Sequence, residues 1–345
     1  MNQRLKNNTK FEILPISERK VFEYIRGIDT TKAKGLDEIS PHYLKMAAED
    51  VTPSLTYLCN LSLETGQFPK EWKKGKVISG YKKDIITSKE YYRPLSILLV
   101  LSKILEKHVF STYYQYLNNH NLLSNYQHGF RKYHSCETIL MLMFKKLICN
   151  IEKGEITAMT MLDFSKAFDL VYHELLLRKI EIYGVTDLSL EWFKSYVGDR
   201  QQQVMYKNAL SQTLKIESGV PQESTLGPFL FLIYINDLPL YLKQTLPYIF
   251  ADDTTLLANS NEILELSNNI NKDLKVTSDW ANCNTMILKG KKTKSMVIYS
   301  KRKHCDIKIQ ELLHNREIEE VTDAKLLSWH LFRLIFKIGS THIIY

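Results

Sequence analysis

The chain has 345 residues, of which 44% are hydrophobic and 24% are charged, and this composition is typical of a globular protein. Its 46 basic residues outnumber 38 acidic ones, which gives a formal charge of +8 and favours a polyanionic partner. The five cysteines form no Cys-x-x-Cys pair, which argues against a zinc site and a secreted disulfide framework. With no segment long and apolar enough to cross a membrane and no signal peptide, we expect an intracellular protein of the cytoplasm, the nucleus or both.

The first 75 residues are predicted to form a helical extension that is basic and polar. Ser40 and Pro41 begin one helix, because serine caps a helix and proline is accepted at its first position. Gly66, followed by Pro69, ends another helix, because glycine adopts the left-handed conformation that terminates helices.

Residues 76–150 combine a strand with helical sequence. Val77 and Ile78 predict a short strand, which is followed by a loop rich in lysine and tyrosine. Apolar residues then recur at helical spacing from about Leu95 to Leu117, and this pattern predicts a long helix.

Residues 156–300 predict a mixed α/β region. The stretch 229–235 is apolar on every side, which fits a strand or a buried helix, and Pro228 before it favours the helix. The predicted elements, in chain order, are a strand at 156–162 that ends at Asp163, a helix from Phe164 to about Tyr183, the helix at 229–235, a hairpin with Asp252 at its tip, a helix at about 261–280 and a strand at 295–300.

Three acidic residues of this region point to metal chemistry. Asp252 and Asp253 interrupt an apolar run, and Asp163 ends a buried strand. Adjacent carboxylates near a core repel each other, and this repulsion costs free energy. A bound divalent cation such as Mg²⁺, which prefers carboxylate oxygens, removes that cost. If the strand of Asp163 pairs beside the hairpin, the three acids would hold two Mg²⁺ ions about 3.5–4 Å apart, with Mn²⁺ as an alternative ion. Taken alone, Asp163 is better explained as an acid at a helix N-terminus.

Ordered motifs then connect these acids to a known family. With these motifs the sequence resembles the reverse transcriptases of non-LTR (LINE-type) retrotransposons, from about Lys32 to about Ser300. The motifs are Asp163-Phe164-Ser165-Lys166-Ala167-Phe168-Asp169, Ser218-Gly219-Val220-Pro221-Gln222 with Leu226-Gly227-Pro228, Phe250-Ala251-Asp252-Asp253, and the upstream signatures Tyr92-Arg93-Pro94-Leu95-Ser96, Ser102-Lys103-Ile104-Leu105-Glu106-Lys107 and Gly129-Phe130-Arg131.

The resemblance implies an α+β fold, the right-hand polymerase with fingers and palm, in which helices pack on an antiparallel palm sheet. We therefore expect an RNA-directed DNA polymerase that uses Mg²⁺, deoxynucleoside triphosphates, an RNA template and a DNA primer. The expected segments are an N-terminal helical extension at 1–75, fingers at 76–155, a palm at 156–300 with fingers helices partly interleaved, and a degenerate segment at 301–345 with the thumb truncated or missing.

The family's residue roles carry over by motif. Asp163, Asp252 and Asp253 match the catalytic, metal-binding aspartates. Phe164 and Phe168 match nucleotide-binding positions, and the ring of Phe168 would clash with the 2′-hydroxyl of a ribonucleotide. The spacing of the two phenylalanines also fits the buried face of a helix.

Basic and polar residues complete the implied nucleotide site. Arg93 matches the fingers arginine that grips the triphosphate, and a guanidinium suits bidentate phosphate recognition. Lys82 or Lys83 would assist it. Gln222 matches a residue that contacts the nucleotide, and Lys292 matches the lysine suggested to protonate the leaving pyrophosphate.

Departures from the family pattern keep alternatives open. Glu223 stands where the family has glycine, and its charge would repel phosphate. Lys289 stands where the family usually has asparagine. The chain therefore resembles a fragment or decayed copy of a longer element protein, and the main alternative is a catalytically inactive RNA-binding remnant. An RNA-templated RNA polymerase of viral type is a third interpretation, and Phe168 argues against it because such enzymes admit the 2′-hydroxyl.

Overall fold

The chain divides into two compact units, and each is built from two separate stretches of sequence. Unit 1 consists of residues 1–123 and 168–234, and unit 2 consists of residues 124–167 and 235–345. The predicted four-part division is finer than this and stays a prediction. The computed structural model describes residues 10–81, 92–207, 209–221, 223–300, 308–326 and 329–332, with the backbone alone at 81, 92–94, 325–326 and 329–332.

Helices and strands alternate irregularly along the described chain, as expected for an α+β protein. The helices are α1 (Glu18–Arg26), α2 (Pro41–Met46), α3 (Ala48–Thr65), α4 (Val100–Asn119), α5 (Cys136–Glu152), α6 (His173–Ile182), α7 (Asp187–Val197), α8 (Gly227–Ile235) and α9 (Ile263–Cys283). The strands are β1 (Lys74–Tyr81), β2 (Tyr92–Ile97), β3 (Ile156–Leu162), β4 (Phe164–Ser165), β5 (Arg200–Tyr206), β6 (Ala209–Leu210), β7 (Leu214–Ile216), β8 (Leu246–Phe250), β9 (Asp253–Ser260), β10 (Ile287–Leu288), β11 (Lys294–Ile298), β12 (Leu312–Leu313), β13 (Arg316–Glu317), β14 (Glu319–Glu320), β15 (Asp323–Leu326) and β16 (Trp329–Phe332).

Several predicted elements are confirmed. Helix α2 begins at Pro41, and Gly66 follows α3 with a left-handed φ of 64°, as its role at a helix end requires. Strand β3 covers the predicted residues, the hairpin is formed by β8 and β9, and the apolar stretch at 229–235 is helical. No helix among the described residues has the length and apolarity that a bilayer crossing requires.

Two predicted helices are wrong at their starts. The helix expected from Leu95 begins only at Val100, because residues 92–97 form β2 and pair antiparallel with β1. The helix expected from Phe164 begins only at His173. Phe164 and the next residue instead pair with β10, and Lys166 adopts a φ of 47° that no helix accepts. The interpretation of Asp163 as a helix N-terminal acid is therefore wrong.

Unit 1 is organised by an aromatic core beside a mixed sheet. The sheet has the strand order β2-β1-β5-β6, with β7 also paired to β5. The ring of Phe68 lies 5.5 Å from that of Trp192 and 5.0 Å from that of Tyr196, which joins the start of the sheet to α7. The ring of Phe229, on the buried helix α8, packs edge-on against Tyr113 of α4 at 5.7 Å. These contacts bury large apolar surfaces, the main source of folding free energy.

Unit 2 is a five-stranded sheet covered on its faces by helices. The strand order is β14-β11-β3-β9-β8, and β3 pairs antiparallel with both of its neighbours. One core cluster joins α5 to β3, β8, β9 and β11, and α9 packs against β9 and β3. Because the sheet is covered in this way, β3 is apolar along most of its length rather than alternating. The core cluster consists of Ile139, Leu140, Met143, Leu147, Ile151, Met159, Tyr248, Leu257, Met296 and Ile298.

A buried carboxylate ties the segment after residue 308 to this sheet. Glu311 is 1% exposed, and its two carboxylate oxygens accept hydrogen bonds from Thr160 of β3 and Ser295 of β11, each at 2.6 Å. Burial raises the pKa of the Glu311 carboxyl, and the two hydroxyl hydrogen bonds oppose that rise.

We predict that Glu311→Gln stabilises the protein at neutral pH. Because the folded-state pKa of Glu311 lies above its unfolded value, the folded protein binds the proton more tightly, and stability falls as pH rises between the two values. The amide cannot ionise, so the gain in the free energy of unfolding should be largest at neutral pH and should shrink toward pH 4.5. Urea unfolding across this range measures it. Glu317→Gln, at an exposed residue of the same segment, should show no such trend. Equal pH slopes for Glu311→Gln and wild type would contradict the prediction.

Candidate active site

The pairing of β3 with β9 decides where the three predicted catalytic acids lie. Leu162 pairs with Thr254, so continuing the register by one residue sets Asp163 opposite Asp253. Asp252 lies in the tight turn between β8 and β9, where Phe250 pairs with Asp253. Opposed residues of an antiparallel pair have Cα atoms about 4.5–5.5 Å apart. The backbone therefore brings all three acids to one end of the unit 2 sheet, as the sequence predicted.

The carboxylate oxygens at this end of the sheet are ligands that a hard cation prefers. Asp163 and Asp252 are half-buried and Asp253 is exposed. Among the described residues, none donates a hydrogen bond to the Asp163 carboxylate. In the same part of the chain, no group of three or more His, Cys, Asp or Glu side chains is already arranged to hold a metal ion.

A lysine-bearing turn lies beside Asp163. The amide of Lys289 donates to the Asp163 carbonyl at 2.9 Å, and the amides of Lys292 and Thr293 both donate to the Lys289 carbonyl. The turn leads into β11, where Lys294 pairs with Met161. Lys292 is exposed there, so the structure brings this predicted residue to the same end of the sheet as Asp163. Lys289 contributes through its backbone, which asparagine would also supply.

The two predicted phenylalanines have different surroundings. Phe164 is 4% exposed, and its ring lies 6.4 Å from that of Trp280 in the core of unit 2. Phe168 is half-buried in unit 1 and stacks on Phe231 of α8 at 4.5 Å between ring centroids. The Phe168 ring is thus held by packing yet keeps part of its surface open. The nucleotide-binding role of each stays a prediction.

The loop that carries Gln222 is held at its start by the chain next to Phe168. The amide of Val220 donates to the Phe168 carbonyl at 2.9 Å, and the hydroxyl of Ser218 donates to the Asp169 carbonyl at 3.0 Å. Gly219 has a φ of 90°, and a Cβ there would lie 2.9 Å from the Cα of Asp169. Only glycine fits this close approach. Asp169 and Gly219 therefore have a structural role, because they form the contact that holds the start of the loop.

Glu106 holds the same loop at its end. This α4 residue is 0% exposed, and its carboxylate accepts the amide of Thr225 at 2.9 Å and that of Leu226 at 3.4 Å. Burial raises the pKa of Glu106, and the charge of Arg200 opposes that rise. These amides precede α8, where a negative group is favoured by the helix dipole. Gln222 itself lies outside the described residues.

A cavity of about 290 Å³ lies within unit 1 beside this loop. Strands β1 and β5 and residues 218–221 line it. Its charged lining includes Lys73, Asp169 and Arg200, and burial lowers the pKa of Lys73. The rest of the lining includes apolar side chains such as those of Leu98 and Ile216, so the cavity combines charged and apolar surface.

The remaining predicted residues have no described side chain. The backbone of Arg93 lies in β2 opposite Gly80, and its side chain is not among those described. Lys82 and Lys83 lie outside the described residues. Sequence reasoning also missed Glu106 and Gln127 as individual residues. Each stands in or beside a quoted signature, and that position was the available signal.

The chain is similar to proteins of mobile elements. Residues 80–329 match the family described as "Reverse transcriptase (RNA-dependent DNA polymerase)". Relatives from Drosophila melanogaster include the RNA-directed DNA polymerase from mobile element jockey, 29% identical over 279 residues, and the probable RNA-directed DNA polymerase from transposon BS, 29% identical over 291 residues. These alignments cover 78% and 80% of this chain. The chain spans 30% and 31% of the two relatives, about a third of their length.

Proposed function

Because the chain belongs to the reverse transcriptase (RNA-dependent DNA polymerase) family, we propose that it acts as the RNA-directed DNA polymerase domain of a non-LTR retrotransposon protein. The motif resemblance to this group is confirmed by relatives that are named as polymerases of mobile elements. The observation that carries the proposed chemistry is the β3–β9 register, since it brings Asp163 beside the pair at Asp252 and Asp253.

The proposed substrates are deoxynucleoside triphosphates, an RNA template and a DNA primer. The net charge of +8 supports a nucleic-acid partner, because lysine and arginine neutralise phosphates and release counterions. Binding to template and primer should therefore weaken as salt rises. A location in the cytoplasm or nucleus stays a prediction.

The chain's own residues would divide the work. Asp163, Asp252 and Asp253 would hold Mg²⁺, with Mn²⁺ as an alternative ion. When bound, the metal would activate the primer 3′-hydroxyl and stabilise the leaving pyrophosphate. Lys292, exposed beside Asp163, would give a proton to the leaving group.

The nucleotide itself would be oriented by residues of the fingers and of the loop after Ser218. Arg93 would grip the triphosphate, with Lys82 or Lys83 assisting, and Gln222 would contact the nucleotide. Phe164 is proposed as a further nucleotide-binding residue. Phe168 would exclude the 2′-hydroxyl, and its stacking on Phe231 keeps the ring from turning away.

We predict that Asp252→Ala abolishes primer extension on an RNA template while template binding persists. Loss of a carboxylate metal ligand should reduce the rate about a thousandfold or more, because the reaction depends on charge stabilisation at the metal. Purified protein, a labelled primer and a gel-shift assay measure both quantities. Asp279→Ala removes an exposed acid on α9 and should change neither. Extension that persists in Asp252→Ala would overturn the assigned mechanism.

Sugar selection gives a separate prediction. Phe168→Ala should raise the use of ribonucleotides relative to deoxynucleotides by about tenfold or more, because the ring no longer meets the 2′-hydroxyl. Single-nucleotide incorporation with matched ribo- and deoxynucleotides measures the ratio. Phe110→Ala removes a half-buried aromatic ring of the same unit that packs on Phe229, and should leave selectivity unchanged. A ratio that moves equally in both variants would remove Phe168 from the sugar site.

Glu223 favours a second candidate, an inactive RNA-binding protein. Its exposed carboxylate adjoins Gln222, where it would repel an incoming triphosphate. We predict that Glu223→Gly lowers the KM for deoxynucleotides by roughly threefold to tenfold, with a smaller effect at high salt because exposed charges are screened. Steady-state extension at two salt concentrations measures this. Synthesis that appears only in the variant would locate the defect at this residue. Template binding without synthesis in either protein would favour the second candidate.

A further inference from the structure

The turn that precedes Asp252 is bound by a segment from a distant part of the chain. Ile249 of β8 donates its amide to the Tyr126 carbonyl at 3.0 Å, and its carbonyl accepts the His128 amide at 2.8 Å. Residue 127 thereby lies parallel to β8 as an extra, one-residue strand. The segment is itself closed by Arg131, whose guanidinium donates to the Ser124 carbonyl at 2.7 Å. All of these residues belong to unit 2.

The side chain of Gln127 makes hydrogen bonds directly to the turn. It is 1% exposed, and its Oε1 accepts the Ala251 amide at 3.1 Å and the Gly129 amide at 2.7 Å. Its Nε2 donates to the Ala251 carbonyl at 3.4 Å. One amide group therefore satisfies both backbone groups of the residue before Asp252. A carboxamide suits this contact, because it offers a donor and an acceptor side by side and carries no charge at any pH.

The backbone at this contact is both close-packed and strained. Ala251 has a φ of 58°, a conformation that residues with a Cβ seldom adopt. A Cβ at Gly129 would lie 2.2 Å from the Ala251 amide nitrogen, so glycine is required for the two segments to meet. A strained turn persists only where its surroundings fix it, and Gln127 supplies the hydrogen bonds that do so.

We infer that Gln127 is a positioning residue. It fixes the conformation of the turn at Ala251 and thereby the direction in which the Asp252 side chain projects from the hairpin. The inference rests on the proposed function, in which Asp252 holds the metal. It also gives a physical reason for the signature at 129–131: the glycine admits the turn, and Arg131 closes the segment that presents Gln127.

Hydrogen exchange tests the grip without any catalytic assay. Gln127→Met keeps the length of the side chain but removes its donor and acceptor. Amides of residues 248–254 should then exchange about tenfold faster, since the turn loses both hydrogen bonds that Gln127 makes to Ala251 and opens locally. Asn150→Leu is the matched control: it removes a buried amide of the same unit that donates to Thr157, at the opposite end of β3 from Asp163. This control should leave exchange at 248–254 unchanged.

Primer extension tests the positioning role. Gln127→Met should lower kcat about tenfold and raise the Mg²⁺ concentration for half-maximal rate, because misplaced ligands bind the ion less well. The KM for deoxynucleotides should stay the same. Asn150→Leu, which is equally buried, should lower the melting temperature without changing the Mg²⁺ dependence.

A third variant separates hydrogen bonding from packing. In Gln127→Glu, the neutral acid can donate to the Ala251 carbonyl and accept the Ala251 amide, whereas the carboxylate cannot donate. Burial raises the pKa of such a carboxyl, so its rate relative to wild type should rise as pH is lowered from 8 to 6. A group that acts by packing alone would give a flat ratio.

The outcomes are separable. Unchanged exchange at 248–254 in Gln127→Met, or an unchanged Mg²⁺ dependence in an active protein, overturns the inference. If wild type fails to extend any primer while Gln127→Met still loosens the hairpin, the proposed function falls and the structural grip of Gln127 stands.

Discussion

The antiparallel register of β3 against β9 is the constraint on which the rest of the candidate site depends. Leu162 lies opposite Thr254, and only this alignment puts the acid that follows β3 across from those at the hairpin. A slip of one residue would turn every side chain of a strand to the other face of the sheet. Burial of both faces under α5 and α9 makes such a slip costly, so the core that stabilises unit 2 also sets the spacing of its acids.

Two loops of the candidate site are held by buried polar side chains. The hairpin turn is tied through the backbone of Ala251, and the loop after Ser218 is tied through the amides of Thr225 and Leu226. In each case a buried polar side chain from a distant segment, Gln127 or Glu106, satisfies backbone groups of the loop. Buried amides that are fully paired lose little free energy, whereas unpaired ones are costly. Polar burial therefore rigidifies the loops that carry the proposed chemistry.

Local patterns predicted much of this arrangement. A continuous apolar run predicted β3, and two short β-prone runs around an acidic pair predicted the hairpin. The starts of two helices were less predictable. Leu95 and Phe164 fit helical spacing, but both lie in strands, because they pair with β1 and β10, respectively. The hydrogen bonds made by buried polar side chains could not be predicted from local sequence. Gln127, Glu106 and Glu311 each bind a residue that is far away in the chain, at separations of 124, 119 and 151 positions, respectively. Only the assembled fold shows which polar residue is buried against which backbone.

The order of strands in unit 2 also bears on biosynthesis. Strand β3 is central, yet its two neighbours, β9 and β11, both follow it in the chain. While a ribosome makes the intervening residues, most of which belong to unit 1, β3 has emerged without a partner on either edge. Unpaired apolar strands readily join those of other chains. The pairing of β3 within its own sheet therefore becomes possible only once β9 has left the exit tunnel.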